Sequence, residues 1–187
     1  MVPEIVQNGA PVLRAKATEV PLSDIGSAKI QKILKDMAAA LNTQDDGVAI
    51  AAPQIGVSLR IFLVAKATLT MPENAEERKK VANRKELKLE AGCLTFINPT
   101  ITKLSRDKAT LDEGCLSVRP LYGKIKRSKK ATVTAYDENG VKFTRGASGL
   151  LAQIFQHETD HLEGILFIDK ATNLREMPTG DELGSKN

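Results

Sequence analysis

The chain has 187 residues, of which 42% are hydrophobic and 27% charged, a composition that is ordinary for one soluble globular domain spanning residues 1–187. No apolar run reaches the roughly 18 residues of a membrane span, no basic segment leads into an apolar one at the start, and two cysteines are too few for a disulfide framework, so we expect a cytoplasmic protein. The formal charge of +4 is too small to indicate a nucleic-acid partner, and we predict neither specific nucleic-acid binding nor membrane binding.

The N-terminal part of the chain predicts an arm followed by a helix. Residues 1–25 alternate short apolar pieces with Pro and Gly, which favours an extended, packed arm over a long helix. Between residues 28 and 41 the apolar residues recur at helical spacing, which predicts an amphipathic helix that serves as core scaffold.

A run of small and apolar residues follows, G-V-A-I-A-A-P-Q-I-G at residues 47–56. Small residues at alternate places indicate a backbone that another group must approach closely. Gln54 is the one strong hydrogen-bonding side chain in the run. Taken alone, the pattern favours an ordinary interpretation, in which the run is a packed strand and turn and Gln54 caps a loop.

The middle of the chain predicts two strands around an exposed segment. Residues 59–64 form a nearly continuous apolar run, typical of a buried strand. Residues 71–90 are rich in charge and poor in apolar side chains, which predicts an exposed excursion. Residues 94–101 resume strand character, interrupted by a turn or edge at Asn98-Pro99.

The next segments combine a thiol, a basic run and a hairpin. In E-G-C-L-S at residues 113–117, Cys115 stands beside a glycine, an accessible setting that suits a metal site better than a core. Residues 124–130 hold five basic side chains in seven positions, which favours the exposed side of an edge strand, with RNA contact as the minor alternative. Residues 131–136 and 141–144 flank D-E-N-G, a strong β-hairpin signal.

The motif H-E-x-x-H follows on a predicted helix, which Ser148 can cap and Gly164 can end. His157 and His161 are the only histidines of the chain, and a helix puts them one turn apart on one face, where two imidazoles can bind one divalent ion. Glu158 lies about 100° round the helix from His157, which suits the general base of a metal-dependent hydrolysis. Leu150 and Ile154 fall on the same face as the histidines. The ordinary alternative is a solvated helix face with two unremarkable histidines.

The C-terminal residues predict one last strand and a polar tail. Residues 165–168 are apolar and are predicted as the strand. From residue 172 to the end the chain is polar, with a Pro and a Gly, and we expect it to be loosely held.

A catalytic site of the zinc type needs a third protein ligand besides the two histidines. In the pattern H-E-x-x-H-x-x-G-x-x-H the third histidine would stand where this chain has Phe167, which excludes that peptidase class. Glu176 and Glu182 lie in the polar tail rather than on a following helix. Cysteine remains, and Cys115 is a better candidate than Cys93, although spacing alone leaves both open.

Residues 47–54, 113–117 and 156–164 resemble, in order and spacing, the three signature motifs of the peptide deformylase family. The last two match in full, as E-G-C-apolar-S and Q-H-E-x-D-H-L-x-G. The first departs from the family at Ala49, where the family keeps Gly. The added methyl group bears on the width of the substrate groove and on the φ > 0 conformations open to Gly, and it changes no ligand.

The resemblance implies an α+β fold, with antiparallel β-sheets packed around the central metal-binding helix. It implies removal of the formyl group from the N-terminal methionine of new polypeptides, with one divalent ion per chain, Fe²⁺ as the native ion and Zn²⁺, Ni²⁺ or Co²⁺ as substitutes. It also implies the roles of six groups: Cys115, His157 and His161 as metal ligands, Glu158 as acid and base, and Gln54 with the backbone N–H of Leu116 as donors to the oxyanion.

The remaining expectations concern the substrate and its delivery. We expect N-formylmethionyl peptides to lie along Gly47, Val48 and Ala49. Leu150 and Ile154 are candidates for the pocket of the methionine side chain, and plain core is the equal alternative. Ribosome docking through a basic C-terminal helix does not carry over, because the tail is short and of mixed charge. The competing functions are another metallopeptidase or amidase with the same motif, and a metal-binding protein without catalysis.

Overall fold

A computed structural model describes residues 1–72, 77 and 92–176 as two antiparallel sheets with two α-helices. The first sheet has the strand order β1-β2-β3-β6-β7, with β1 Ala49–Ala51, β2 Ile61–Ala65, β3 Cys93–Leu104, β6 Lys130–Tyr136 and β7 Lys142–Ser148. The second sheet has the order β4-β5-β8, with β4 Lys108–Gly114, β5 Leu121–Ser128 and β8 Thr172–Glu176. The helices are α1 Ala28–Asn42 and α2 Gly149–Leu162. The predicted α+β class, the scaffold helix and the hairpin are confirmed.

The first sheet lies between the two helices, as the alternating side chains of β2 show. All five residues of β2 are buried, as its continuous apolar run predicts. Successive side chains of a strand point to opposite faces. Ile61 and Leu63 pack with α1, whereas Phe62 and Val64 pack with α2. On the α2 side Phe62 stacks on Phe96, with ring centroids 4.5 Å apart. The helix α2 is thereby fixed against an aromatic layer.

The C-terminal end of α2 has a clear local cause, whereas the N-terminal end has no side-chain cap. Ser148 precedes the first helical residue but makes no capping hydrogen bond with its side chain, so the predicted cap is wrong. Gly164 follows the helix with φ +73°, and a Cβ there would lie 2.6 Å from the carbonyl oxygen of Arg14, so glycine is required. The N–H of Ala17 donates to the Leu162 carbonyl at 2.9 Å, which ties the end of the helix to the N-terminal arm.

Two predictions near the C-terminus are wrong. Residues 165–168 form no strand; a 3₁₀ turn, Phe167–Asp169, stands there because the Asp169 carboxylate accepts from the Leu166 N–H at 2.9 Å. The strand comes later, in residues expected to be loose, where β8 pairs with β5 and so gains hydrogen bonds that polar side chains do not disclose. The excursion predicted at 71–90 and the tail beyond 176 lie almost wholly outside the described residues.

The basic run at 124–130 also differs from its prediction. It belongs largely to β5, which is the central strand among the three described strands of its sheet, not an edge. Lys126, Lys129 and Lys130 are exposed as expected. Arg127 is buried, because two carboxylates compensate its charge. No helix of the described residues has the length and apolar character needed to cross a bilayer.

Candidate active site

The three predicted metal ligands come together from two separate parts of the fold. Cys115 directly follows β4, and His157 and His161 project from α2. One ligand atom from each residue lies within 4.8 Å of the other two, and Cys115 Sγ is 3.2 Å from His161 Nε2. Cys93, the alternative left open by the sequence, packs instead in the α1 cluster. The structure therefore selects Cys115.

The donor set fits a divalent ion. Metal–sulfur and metal–nitrogen bonds of about 2.3 and 2.0–2.1 Å in a tetrahedral site put such donors about 3.5 Å from each other. The Cys115 Sγ–His161 Nε2 distance of 3.2 Å is close to this value, the other donor distances do not exceed 4.8 Å, and all three residues are at least half-buried. Thiolate and imidazole are the ligands that Zn²⁺ and Fe²⁺ accept, and the set does not distinguish these ions.

A charged network lies behind His157, and sequence analysis gave no role to any of its members. Glu113 Oε1 is 2.6 Å from His157 Nδ1, which leaves Nε2 of that ring as the ligand atom. Arg127 donates to both oxygens of Glu113, at 2.7 and 3.1 Å, and to Asp160 at 2.6 Å. A carboxylate bound to a ligating histidine fixes its tautomer and its ring orientation. Glu113 and Asp160 lie inside the sequence motifs. Their shared contact with Arg127, which lies outside the motifs, shows that they belong to one network behind His157.

The two histidines differ in their proton affinity. Burial lowers the pKa of His157, but the hydrogen bonds with Cys115 and Glu113 outweigh this and raise the pKa well above its usual value. Burial and the charge of His157 hold the pKa of His161 well below its usual value. Burial raises the pKa of Glu113, yet its contacts with His157 and Arg127 bring the pKa down to about 2. Because a ligating histidine must be unprotonated on its ligand atom, a metal ion at this site competes with a proton for His157.

Glu158 has the environment of a proton carrier. Its side chain is 3% exposed, and Oε2 has no hydrogen-bond partner among the described residues. Burial raises the pKa of Glu158 to about 7, while the charges of His157 and Glu113 act in opposite directions. A carboxyl group with a pKa near neutrality can both take up and release a proton under physiological conditions.

Gln54 caps a turn, as the ordinary interpretation predicts, and its amide also faces the ligand cluster. Its Oε1 accepts from the Ala51 N–H at 2.8 Å and so caps the local 3₁₀ turn. Its Nε2 donates to Ser117 Oγ at 3.2 Å and lies 3.5 Å from Cys115 Sγ. The cap fixes the amide, and its donor end is therefore aimed at the ligand cluster.

A cavity of about 350 Å³ opens onto this cluster. This volume suits a small ligand or the end of a peptide. His157, Glu158, Gln54 and Leu116 line it, as do all the predicted substrate residues: Gly47, Val48, Ala49, Leu150 and Ile154. Ala49 lies in β1 without a positive φ, so its methyl group causes no backbone strain.

The mouth of the cavity carries a charged pair of its own. Arg119 Nη2 is 2.5 Å from Asp46 Oδ1, and both side chains are partly exposed. Tyr122 lies beside them, with its ring against Gly114, where a Cβ would collide with the ring. Nothing in the sequence pattern identified this cluster, since its members come from three separate segments.

Comparison with known proteins gives one consistent result. The model of the family described as polypeptide deformylase matches residues 2–177. Peptide deformylase 1A of Arabidopsis thaliana, chloroplastic/mitochondrial, is 40% identical over 90% of this chain, which spans 61% of that protein's length. Peptide deformylase 2 of Clostridium acetobutylicum is 37% identical over 86% of this chain and 89% of its own length. The Met-Ala-Ser-bound crystal structure of a class I type b peptide deformylase from Acinetobacter baumannii has a TM-score of 0.75 at 28% identity, covering 91% of this chain and 98% of that one.

Proposed function

The chain belongs to the polypeptide deformylase family, and from this we propose that it hydrolyses the N-formyl group of the N-terminal methionine of new polypeptides, with release of formate. The observation that carries the proposal is the grouping of Cys115, His157 and His161 within 4.8 Å, in a cavity that Glu158 also lines. A bound divalent ion supplies Lewis-acid chemistry that polarises the formyl carbonyl.

Glu158 moves the proton. It accepts a proton from the attacking water and delivers it to the nitrogen of the methionine as the carbon–nitrogen bond breaks. Water and the formamide thereby become formic acid and an amine, which at neutral pH are formate and an ammonium group. The pKa near 7 suits both halves of this transfer. Burial also keeps bulk water away from Oε2, whose acceptor capacity no described residue uses.

Gln54 and the Leu116 N–H stabilise the formyl oxygen as it gains negative charge. The capped amide of Gln54 is already aimed at the ligand cluster, so little reorganisation accompanies the reaction. Preorganised donors of this kind are typically the largest single contribution to acyl-transfer catalysis.

The backbone of the substrate peptide pairs with β1. The Val48 carbonyl accepts from the Ala65 N–H at 2.9 Å, and the Ala51 N–H bonds to Gln54 instead of β2. Because polar groups of an antiparallel strand alternate in direction, the N–H and C=O of Ala49 point away from β2. An extended substrate can pair with this edge, with its methionine side chain near Leu150 and Ile154.

The native ion is proposed to be Fe²⁺, with Zn²⁺, Ni²⁺ or Co²⁺ as active substitutes. The thiolate and two imidazoles accept all of these ions. The proposed location is the cytoplasm. The substrates are N-formylmethionyl peptides.

The decisive experiment is formate release from formyl-Met-Ala-Ser by anaerobically purified protein, with metal analysis of the same sample. We expect turnover by the wild type and a loss of about 10²–10⁴ in kcat for Glu158→Gln at unchanged metal content. Cleavage of an internal peptide bond with the formyl group intact would indicate a metallopeptidase instead. Metal binding without hydrolysis of either bond would contradict the proposal that the protein is an enzyme.

A further inference from the structure

The N-terminal arm contacts both segments that carry the proposed oxyanion donors. The Val6 N–H donates to the Gln54 carbonyl at 2.9 Å. The Gln7 side chain donates through Nε2 to the Leu116 carbonyl at 3.0 Å, and the Asn8 N–H donates to the Ser117 carbonyl at 2.7 Å. Three consecutive residues of the arm thus connect two segments that lie far apart in the sequence.

We propose that Gln7 is a positioning residue for the deformylation reaction: it orients the peptide units around Leu116 so that the backbone donor there meets the formyl oxygen. The inference rests on the proposed function, which assigns the Leu116 N–H to the oxyanion. Gln7 lies outside all three sequence motifs.

The geometry explains why one side-chain contact has this effect. The Leu116 carbonyl and the Ser117 N–H belong to the same planar peptide unit. Fixing the oxygen therefore fixes the N–H on its other side, which lies 3.5 Å from Cys115 Sγ. The plane that Gln7 holds therefore includes a hydrogen bond to a metal-ligating sulfur, and through the Leu116 Cα it adjoins the peptide unit that carries the Leu116 N–H.

The segment that contains Leu116 depends on outside support. It lies between β4 and β5, where no strand ladder fixes its carbonyls. A local bond from the Val118 N–H to the Cys115 carbonyl, at 3.1 Å, closes the turn, but the carbonyls of Leu116 and Ser117 both accept from the arm.

Gln7 is suited to this task by its own bonding. Its Nε2 also donates to the Ile5 carbonyl at 3.2 Å, so the amide bridges the arm and the Leu116 segment. Both neighbours are carbonyl oxygens, which only the NH₂ end of the amide can satisfy. The side chain is otherwise exposed, so its replacement leaves the core intact.

The experiment compares three substitutions of Gln7 in the Ni²⁺-loaded protein. Gln7→Glu removes the donor at equal size, Gln7→Ala removes the side chain, and Gln7→Lys keeps an N–H donor of similar reach. Complete loss of an oxyanion donor lowers kcat about 10²–10³-fold. For a misaligned donor we expect kcat to fall about tenfold in Gln7→Glu and Gln7→Ala, with KM within twofold of wild type. In Gln7→Lys most of the lost kcat should return.

Asn8 provides the matched control. Its side chain is exposed and its contact to Ser117 uses the backbone, so Asn8→Ala and Asn8→Lys change size and charge at the neighbouring position without removing a bond. Both should keep wild-type kcat. The inference is overturned if Gln7→Glu has the same kcat as Asn8→Ala, if only KM changes, or if Gln7→Lys is as slow as Gln7→Glu.

A second measurement separates this inference from the proposed function. If the wild type releases no formate, the proposed function fails, and the arm is then tested by amide hydrogen exchange of Leu116 and Ser117 in the Zn²⁺-loaded protein. Exchange about tenfold faster in Gln7→Glu than in Asn8→Ala supports the positioning contact. Equal exchange in the two variants overturns it.

Discussion

Two arginine–carboxylate contacts flank the candidate site, and they differ in burial and in the number of hydrogen bonds. Behind His157, Arg127 and Glu113 have side chains that are 6% and 5% exposed. At the cavity mouth, Arg119 and Asp46 are 30% and 47% exposed. The first contact is bidentate and extends to Asp160, whereas the second is a single bond.

The difference shows that burial, not the presence of an ion pair, decides what such a contact does. Water screens an exposed pair, and its net contribution to stability is about 0–1 kcal/mol. Removing one member of a buried pair leaves an uncompensated charge in the interior, which costs about 3–5 kcal/mol. We therefore expect the network behind His157 to determine stability and metal affinity, and the pair at the mouth to have little effect on either.

The largest effect is expected for Arg127→Met. This variant leaves the buried Glu113 carboxylate without the guanidinium, while the partly exposed Asp160 keeps Lys170, and the free energy of unfolding should fall by about 3–5 kcal/mol. Urea titration of the Zn²⁺-loaded protein measures the change. Adding Glu113→Gln to the same chain should recover part of the loss, because the buried charge of Glu113 disappears. A loss below 1 kcal/mol for Arg127→Met would contradict the comparison.

A smaller effect is expected for Glu113→Gln alone. The amide oxygen can still accept from His157 Nδ1, but the charge that holds the ring is lost. Loss of such a partner behind a ligating histidine typically weakens metal binding about 10–100-fold. Competition with a chromogenic chelator measures the affinity for Zn²⁺. Asp112→Asn, at the adjacent exposed position, is the control and should bind Zn²⁺ like the wild type. Equal affinities in both variants would remove the role assigned to Glu113.

The smallest effect is expected for Arg119→Ala. The pair with Asp46 is exposed, so the free energy of unfolding should fall by no more than about 1 kcal/mol, or about 2–4 °C in Tm for a chain of this size. The difference should shrink further at high salt. Thermal unfolding at two salt concentrations provides the measurement. A loss as large as that of Arg127→Met would show that exposure does not separate the two contacts.

The elements that the sequence predicted well share a local or periodic cause. The helix at 28–41 and the hairpin around D-E-N-G follow from spacing and turn chemistry, and both are present. The strand predicted at 165–168 failed because one carboxylate, Asp169, forms a turn there. The strand β8 was missed because polar side chains carry no signal for pairing with β5.

The sequence by itself determined the chemistry of the site. H-E-x-x-H brings two imidazoles to one helix face through the backbone geometry of five residues, without help from the rest of the fold. The two motifs that precede it in the chain, which resemble those of the family, supplied Gln54 and Cys115.

Only the tertiary structure decided which arginine of a basic run is buried behind the histidines, and that the N-terminal arm bonds to the Leu116 segment. These contacts join residues that are far apart along the chain. Their formation depends on how sheets and helices pack, which no local pattern of side chains encodes.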